Sequence, residues 1–197
     1  MVTEQTVNDR ANVQVIADLT PAQKFLQELW EEHVQHEFGT HNTEDTLATM
    51  VENAYVNHIP VMTGGVGKPA LREFYSKYFI PQMPPDMELT QISRTIGTDR
   101  LVDEMLIKFT HTIQMDWILP GIAPTGKRVE VAMVAIVQFC DGKLAHEHIY
   151  WDQASVLVQL GLLDPGTLPI VGVESARKAI DPNLPSNTLI DRANNCN

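Results

Sequence analysis

Between residues 101 and 117 the side chains alternate in character, and this run constrains the fold more than any other stretch. Asp103, Met105, Ile107, Phe109, His111, Ile113, Met115 and Trp117 share one face; Glu104, Lys108, Thr110, Thr112, Gln114 and Asp116 share the other. A period of two marks a strand with one dry face and one wet face, so the chain must build a sheet and cover one side of it. The neighbouring segments extend that sheet. Residues 87–96 read as a strand, joined to the first run by the turn Gly97-Thr98-Asp99-Arg100. Residues 128–140 and 143–152 read as two more, joined by Asp141-Gly142, a tight hairpin signal. The sequence therefore predicts four antiparallel strands in succession, with the face of Asp103 and Trp117 inward.

What covers that face comes earlier in the chain. Thr20-Pro21-Ala22-Gln23 has the form of a capping box with proline at the first helical position. Ala22, Phe25, Leu26, Leu29, Trp30, His33 and Val34 then follow at helical spacing, predicting a helix to about residue 38. Asn42 caps a shorter helix carrying Leu47, Met50 and Val51, and residues 54–58 form a short strand. Residues 60–67 are a glycine-rich loop and a flexible rim. Lys68-Pro69 opens a third helix with Leu71, Phe74, Tyr75, Tyr78 and Phe79 on one face, stopped by Pro81, Pro84 and Pro85. After the sheet, Asp152 caps a closing helix over 153–160, with Gly161 past its end. Residues 162–197 hold at most one short helix, at 174–180. The fold class is α+β: a strongly curved antiparallel sheet wrapped on three N-terminal helices forms a cone, with a core at its narrow end and a pocket at its mouth. The chain divides into a loose arm (1–19), one domain (20–163) and a C-terminal extension (164–197) that packs on the domain or on a partner subunit.

Charge and composition exclude several function classes. A net charge of −11 repels phosphate backbones and anionic lipid, so neither nucleic acid nor a membrane surface is an expected partner. No apolar run approaches the ~20 residues of a membrane span. The N-terminus lacks a basic start and apolar core, which predicts a cytoplasmic protein. The two cysteines make neither a disulfide framework nor a zinc site, and Cys140, in an apolar run, reads as a small buried hydrophobe.

The residues able to carry chemistry gather on the last strand. Alternation puts His146, His148, Tyr150 and Asp152 on one face and Glu147, Ile149 and Trp151 on the other, and hydrophobicity alone does not choose which faces inward. Asp152 has two readings: a desolvated carboxylate serving as a base, or the N-cap of the closing helix. His58, before Ile59-Pro60, either orients substrate and shuttles a proton or bonds to nearby backbone. Asp103, on an apolar face, needs a partner (His58, His148 or Arg100) unless it reaches solvent at the strand end. His146-x-His148 offers two ring nitrogens but no third ligand at a recognisable spacing, so no metal is expected. Gly64-Gly65-Val66-Gly67 is not a phosphate loop, and no nucleophile elbow is present.

Three stretches carry a family resemblance: Tyr55-Val56-Asn57-His58-Ile59-Pro60 with Gly67-Lys68-Pro69-Ala70-Leu71; the hairpin Asp141-Gly142-Lys143; and Tyr150-Trp151-Asp152 running into Leu157-Val158-Gln159-Leu160-Gly161. In order and spacing, over about residues 21–163, the chain resembles the SnoaL-like proteins of the nuclear transport factor 2-like (cystatin-like) superfamily, relatives of polyketide cyclases and limonene epoxide hydrolase. The resemblance implies a cofactor-independent acid–base enzyme acting on a small or polycyclic apolar carbonyl compound by aldol-type cyclisation, isomerisation or dehydration. It implies an inward Asp152 as general base, with His58 and His148 holding or protonating the oxyanion. Tyr150, Asp103, Trp117, Tyr55, His146 and Trp30 would line the pocket, and the chain would pair as a homodimer through the outer sheet face. Two other readings stand beside it: a non-catalytic binding or assembly module, and an epoxide or lactone hydrolase with an Asp-activated water. Asp103-Glu104-Met105 stands where the hydrolase has Arg-x-Asp.

Overall fold

The computed structural model describes residues 19–195; the arm before Leu19 and Cys196 lie outside them. Thr20 builds the predicted capping box, its hydroxyl accepting from the Gln23 amide while the Gln23 side chain accepts from the Thr20 amide, and Pro21 opens α1 (Pro21–Val34). The helix then widens into a π-helical turn over Gln35–Gly39. Asn42 caps α2 (Thr43–Ala48) through the Glu44 and Asp45 amides. β1 (Met50–His58) and β2 (Thr63–Val66) follow, then α3 (Lys68–Glu73), which also widens into a π turn, Phe74–Phe79, before a short 3-10 turn. β3 (Glu88–Ile96), β4 (Arg100–Thr110), β5 (Arg128–Cys140) and β6 (Lys143–Trp151) complete the sheet. Helices α4 (Gln153–Gln159), α5 (Glu174–Ile180) and α6 (Thr188–Asn195) close the described chain. No described helix is long and apolar enough to cross a membrane.

The strands lie in the order β2-β1-β6-β5-β4-β3. Four strands from β3 to β6 are antiparallel neighbours as the alternation predicts, but β1 joins β6 in parallel. Residues 63–66, expected as a flexible rim, are instead the strand that completes a hairpin with β1. Glycine is required there: a Cβ on Gly64, whose φ is 135°, would sit 2.0 Å from the Val56 carbonyl oxygen. Register shifts in the β1–β6, β3–β4 and β5–β6 ladders bend the sheet around the helices.

The long strand expected to reach residue 117 ends at Thr110. The alternation continues to Trp117, but the chain there leaves the ladder, and Met115, Trp117, Ile118 and Leu119 are all buried in a turn closed by the Met115 carbonyl. This turn caps the core instead of extending the ladder. Cys140, expected to be buried, ends β5 at the surface because the hairpin turn follows at once. In the extension, α5 packs on the sheet: Ala176 is buried, the Ser155 hydroxyl donates to the Gly172 carbonyl and Arg177 pairs with Glu130. A second helix, α6, is present there beside the one expected.

Candidate active site

The dry face of the sheet and the helices α1 and α3 enclose a cavity of about 170 Å³. Its wall is largely apolar, with Val34, Phe38, Val56, Phe79, Ile107, Met133 and Ile149 among the lining side chains. Register places the polar exceptions. Val56 pairs with Glu147 and His58 with Ile149, so Glu147, Ile149 and Trp151 of β6 fall on the same face as Val56 and His58 of β1. Glu147 is 3% exposed and Tyr150 41%. The inward face of the last strand is therefore the one opposite to that which the resemblance implies. Three polar stations interrupt the apolar wall.

The first is a buried cluster. The His33 ring is fully enclosed, with Nε2 3.2 Å from Glu37 Oε1 and 3.1 Å from Glu147 Oε1. On its other side Nδ1 lies 2.6 Å from the Thr49 hydroxyl oxygen, and that hydroxyl donates to the Thr46 carbonyl at 2.6 Å. The only proton of the Thr49 hydroxyl is thus committed, so His33 Nδ1 must donate, and Nε2 faces two carboxylates. The Tyr75 hydroxyl completes the group, 3.5 Å from both His33 Nε2 and Glu147 Oε1. Burial pulls the His33 pKa down, but the charges of Glu37 and Glu147 outweigh it and raise the ring to about 10. Burial raises the Glu37 carboxyl against the opposing pull of His33, and burial with the two carboxylates keeps Tyr75 protonated. Glu37 and Tyr75 both sit in the π-helical turns of their helices.

The second station is His58. Its Nδ1 lies 3.2 Å from the Trp117 carbonyl oxygen and 3.1 Å from Thr63 Oγ1, whose own proton goes to the same carbonyl at 2.7 Å. Nδ1 therefore carries the proton, and Nε2 keeps a lone pair with no hydrogen-bond partner among the described residues. The rings of Phe74, Phe79, Trp117 and Trp151 surround it at centroid distances of 5.5, 5.7, 5.7 and 5.6 Å. This desolvation lowers the His58 pKa to about 4, only partly opposed by the Trp117 carbonyl and by Glu147.

The third station is Asp103. Arg94, its cross-strand partner on β3, grips it at 3.1 and 2.7 Å, and Trp30 Nε1 donates to it at 2.9 Å. Glu31 takes the remaining arm of Arg94 at 2.7 Å. The expected partners His58, His148 and Arg100 do not reach Asp103: Arg100 bonds Gln138 at the surface and His148 points to the other side of the sheet. The Arg–Asp pair absent within β4 is assembled across two strands.

Of the residues singled out in the sequence, His58, Asp103, Trp117 and Trp30 line the cavity. Tyr55, His146 and His148 lie together on the opposite face of the sheet, with ring centroids 4.7, 5.5 and 4.8 Å apart, and the exposed Tyr150 shares that face. Asp152 is exposed and its Oδ1 accepts from the Ser155 amide at 3.1 Å, which makes it the cap of α4. His33, Glu37, Tyr75, Arg94 and Glu147 were not among the predicted site residues. The legible signal was a histidine on an otherwise apolar helix stripe with a glutamate four positions on.

Residues 20–160 match the family profile described as SnoaL-like polyketide cyclase. No curated protein sequence matches the chain. Among solved structures, the chain is similar to a SnoaL-like protein from Jannaschia sp. CCS1 (17% identity over 75% of this chain and 99% of that one, TM-score 0.62). It is similar to TsrD from Streptomyces laurentii (19% identity, 74% and 100% covered, TM-score 0.58). It also resembles TerC, co-crystallised with polyporic acid (13% identity, 70% and 98% covered, TM-score 0.50). At these identities the likeness is one of fold.

Proposed function

The chain belongs to the SnoaL-like polyketide cyclase family, and on that premise we propose that it is an acid–base catalyst that moves a proton α to a carbonyl of a small, largely apolar compound. The observation that carries this reading is the opposition within one cavity of a neutral imidazole with an open lone pair, His58, and a buried carboxyl cluster that holds protons, His33–Glu37–Glu147–Tyr75. His58 Nε2 takes the proton, and the Trp117 carbonyl steadies the imidazolium through Nδ1. The oxyanion is stabilised by the Tyr75 hydroxyl, which burial and its carboxylate neighbours keep protonated. A base of low pKa suffices where a neutral acid of the site stabilises the oxyanion, because the low-dielectric wall strengthens that hydrogen bond. Aldol-type cyclisation, isomerisation and dehydration all begin with this step. In this reading Asp152 passes its role as base to His58, and the outer face of the sheet (Tyr55, His146, His148, Tyr150) pairs with a second copy of the chain.

The cavity volume bounds the substrate. A dry cavity of roughly 150 Å³ accepts a benzene-sized guest, so about 170 Å³ suits one ring and not a fused polycycle. The test is proton exchange in D2O, followed by NMR, on cyclohexanone and cyclohex-2-enone that bind the full chain. Exchange at the α carbon is expected with the native chain and is expected to be lost in His58→Ala. Binding without exchange would favour a non-catalytic module, and exchange that persists in His58→Ala would remove His58 as the base.

A further inference from the structure

The cluster behind the cavity has a property that acid–base chemistry does not require. Three potential ligand atoms lie close together: His33 Nε2 and one oxygen each of Glu37 and Glu147, all within 4.8 Å of one another. Thr49 fixes the ring so that the nitrogen facing the carboxylates is the one free of the tautomeric proton. With a neutral ring and two ionised carboxylates the buried site carries two uncompensated negative charges, which the interior does not tolerate. Two occupants restore neutrality: a pair of protons, one on His33 and one on Glu37, or a single divalent cation. We propose that His33, Glu37 and Glu147 form a site for a divalent first-row metal ion such as Zn2+ or Mn2+.

Four features favour the cation. One imidazole and two carboxylates make a donor set suited to these ions. The nitrogen–oxygen spacings of 3.1 and 3.2 Å match the roughly 3.0–3.5 Å between donors that each lie about 2.0–2.2 Å from a shared ion. The ring's other nitrogen is bonded to a partner outside the site, the arrangement that orients metal-ligating histidines. Finally, Glu37 and Glu147 line the cavity while His33 lies behind them, so three protein ligands would hold the ion from one side and leave its open positions facing the cavity. There it would polarise a carbonyl in place of the shared proton. The role of His58 as base is unchanged by this, but the ion would take the place of the protons that the proposed function assigns to this cluster; binding is measured without reference to proton exchange, so failure of the metal site and failure of the base are told apart.

The experiment is titration calorimetry of the chelator-treated full chain with Zn2+ and with Mn2+. One saturable equivalent per chain is expected. Glu147→Gln and Glu37→Gln should each weaken it at least tenfold, while His58→Ala leaves it unchanged. The double variant His146→Ala/His148→Ala should also leave it unchanged, since those rings form the rival pair on the outer face. Absence of a saturable equivalent overturns the proposal, as does binding lost in the double variant or retained in both glutamine variants. Should the glutamine variants fail to fold, by circular dichroism, the spin-echo spectrum of Mn2+ bound to the native chain decides. Coupling to one imidazole nitrogen is expected, and its absence overturns the site.

Discussion

His33 and His58 are enclosed in the same interior, His58 on the cavity wall and His33 behind the glutamates that line it, and they hold different charge states. Desolvation acts on both in the same direction. At His33 two carboxylates 3.1 and 3.2 Å away reverse it and raise the ring to about 10. At His58 the neighbours are four aromatic rings and a backbone carbonyl, so burial prevails and the ring falls to about 4. Burial sets how strongly neighbours are felt; the neighbours set the sign. A fold that places one of each beside a cavity has a proton acceptor and a proton store that both persist at neutral pH.

The most direct way to break this contrast is to remove the acceptor. His58→Ala is expected to slow α-proton exchange by about 10²–10⁴-fold, the ordinary contribution of a positioned base. His58→Gln should be as impaired, since an amide fills the space without basicity. Exchange rates by NMR check both, and a loss smaller than tenfold would mean that the base lies elsewhere on the wall.

The contrast is sharpened by pH, in metal-free protein. A group whose folded pKa is depressed from 6.5 to about 4 contributes stability above 6.5 that is lost as pH falls to 4. For His58 this amounts to roughly 3 kcal/mol. A group whose folded pKa is raised from 6.5 to about 10 contributes stability that is complete below 6.5 and lost as pH rises towards 10. Glu37, also raised, acts in the same direction as His33. Stability measured by denaturant unfolding should therefore fall on both sides of neutrality. His58→Phe should flatten the acid limb and the double variant His33→Leu/Glu37→Gln, which removes both raised groups, the alkaline limb. A variant that flattens the wrong limb, or neither, would show that the two charge states are misassigned.

How much of this was legible in the sequence follows from the range of the signals. Local ones read well: the Thr20–Gln23 capping box, the Asn42 cap, the Asp141-Gly142 hairpin and the alternation over 101–110 all depend on residues a few positions apart. What failed depended on pairing across the fold. Nothing local announces that β1 would lie parallel to β6, yet that register sets Glu147 beside Val56. The glycines at 64 and 65 read as slack because their reasons lie in other elements: the close approach of β1 to Gly64 and of Ala70 in α3 to Gly65. His33, Glu37 and Glu147 form a site only when a helix and a strand over a hundred residues apart are brought together. Arg94 and Asp103 are separated by a turn, and only the β3–β4 register makes them a pair.

The smallest expected effect falls on the residue that drew most weight from the sequence. The Asp152 carboxylate accepts from the Ser155 amide and is exposed, on the far side of β6 from the cavity. A capping carboxylate can be replaced by another capping side chain, so Asp152→Asn should change stability by only a few tenths of a kcal/mol. Asp152→Ala removes the acceptor and should cost about 1 kcal/mol, a fall in Tm of about 2–4 °C for a chain of this size. Neither should change the exchange rate by more than twofold. The pair separates two roles that one strand position can serve: a cap responds to Ala and tolerates Asn, whereas a base tolerates neither. A hundredfold loss of exchange in Asp152→Asn, with Tm unchanged, would return the base to Asp152 and require β6 to present its His146–Tyr150 face to the substrate.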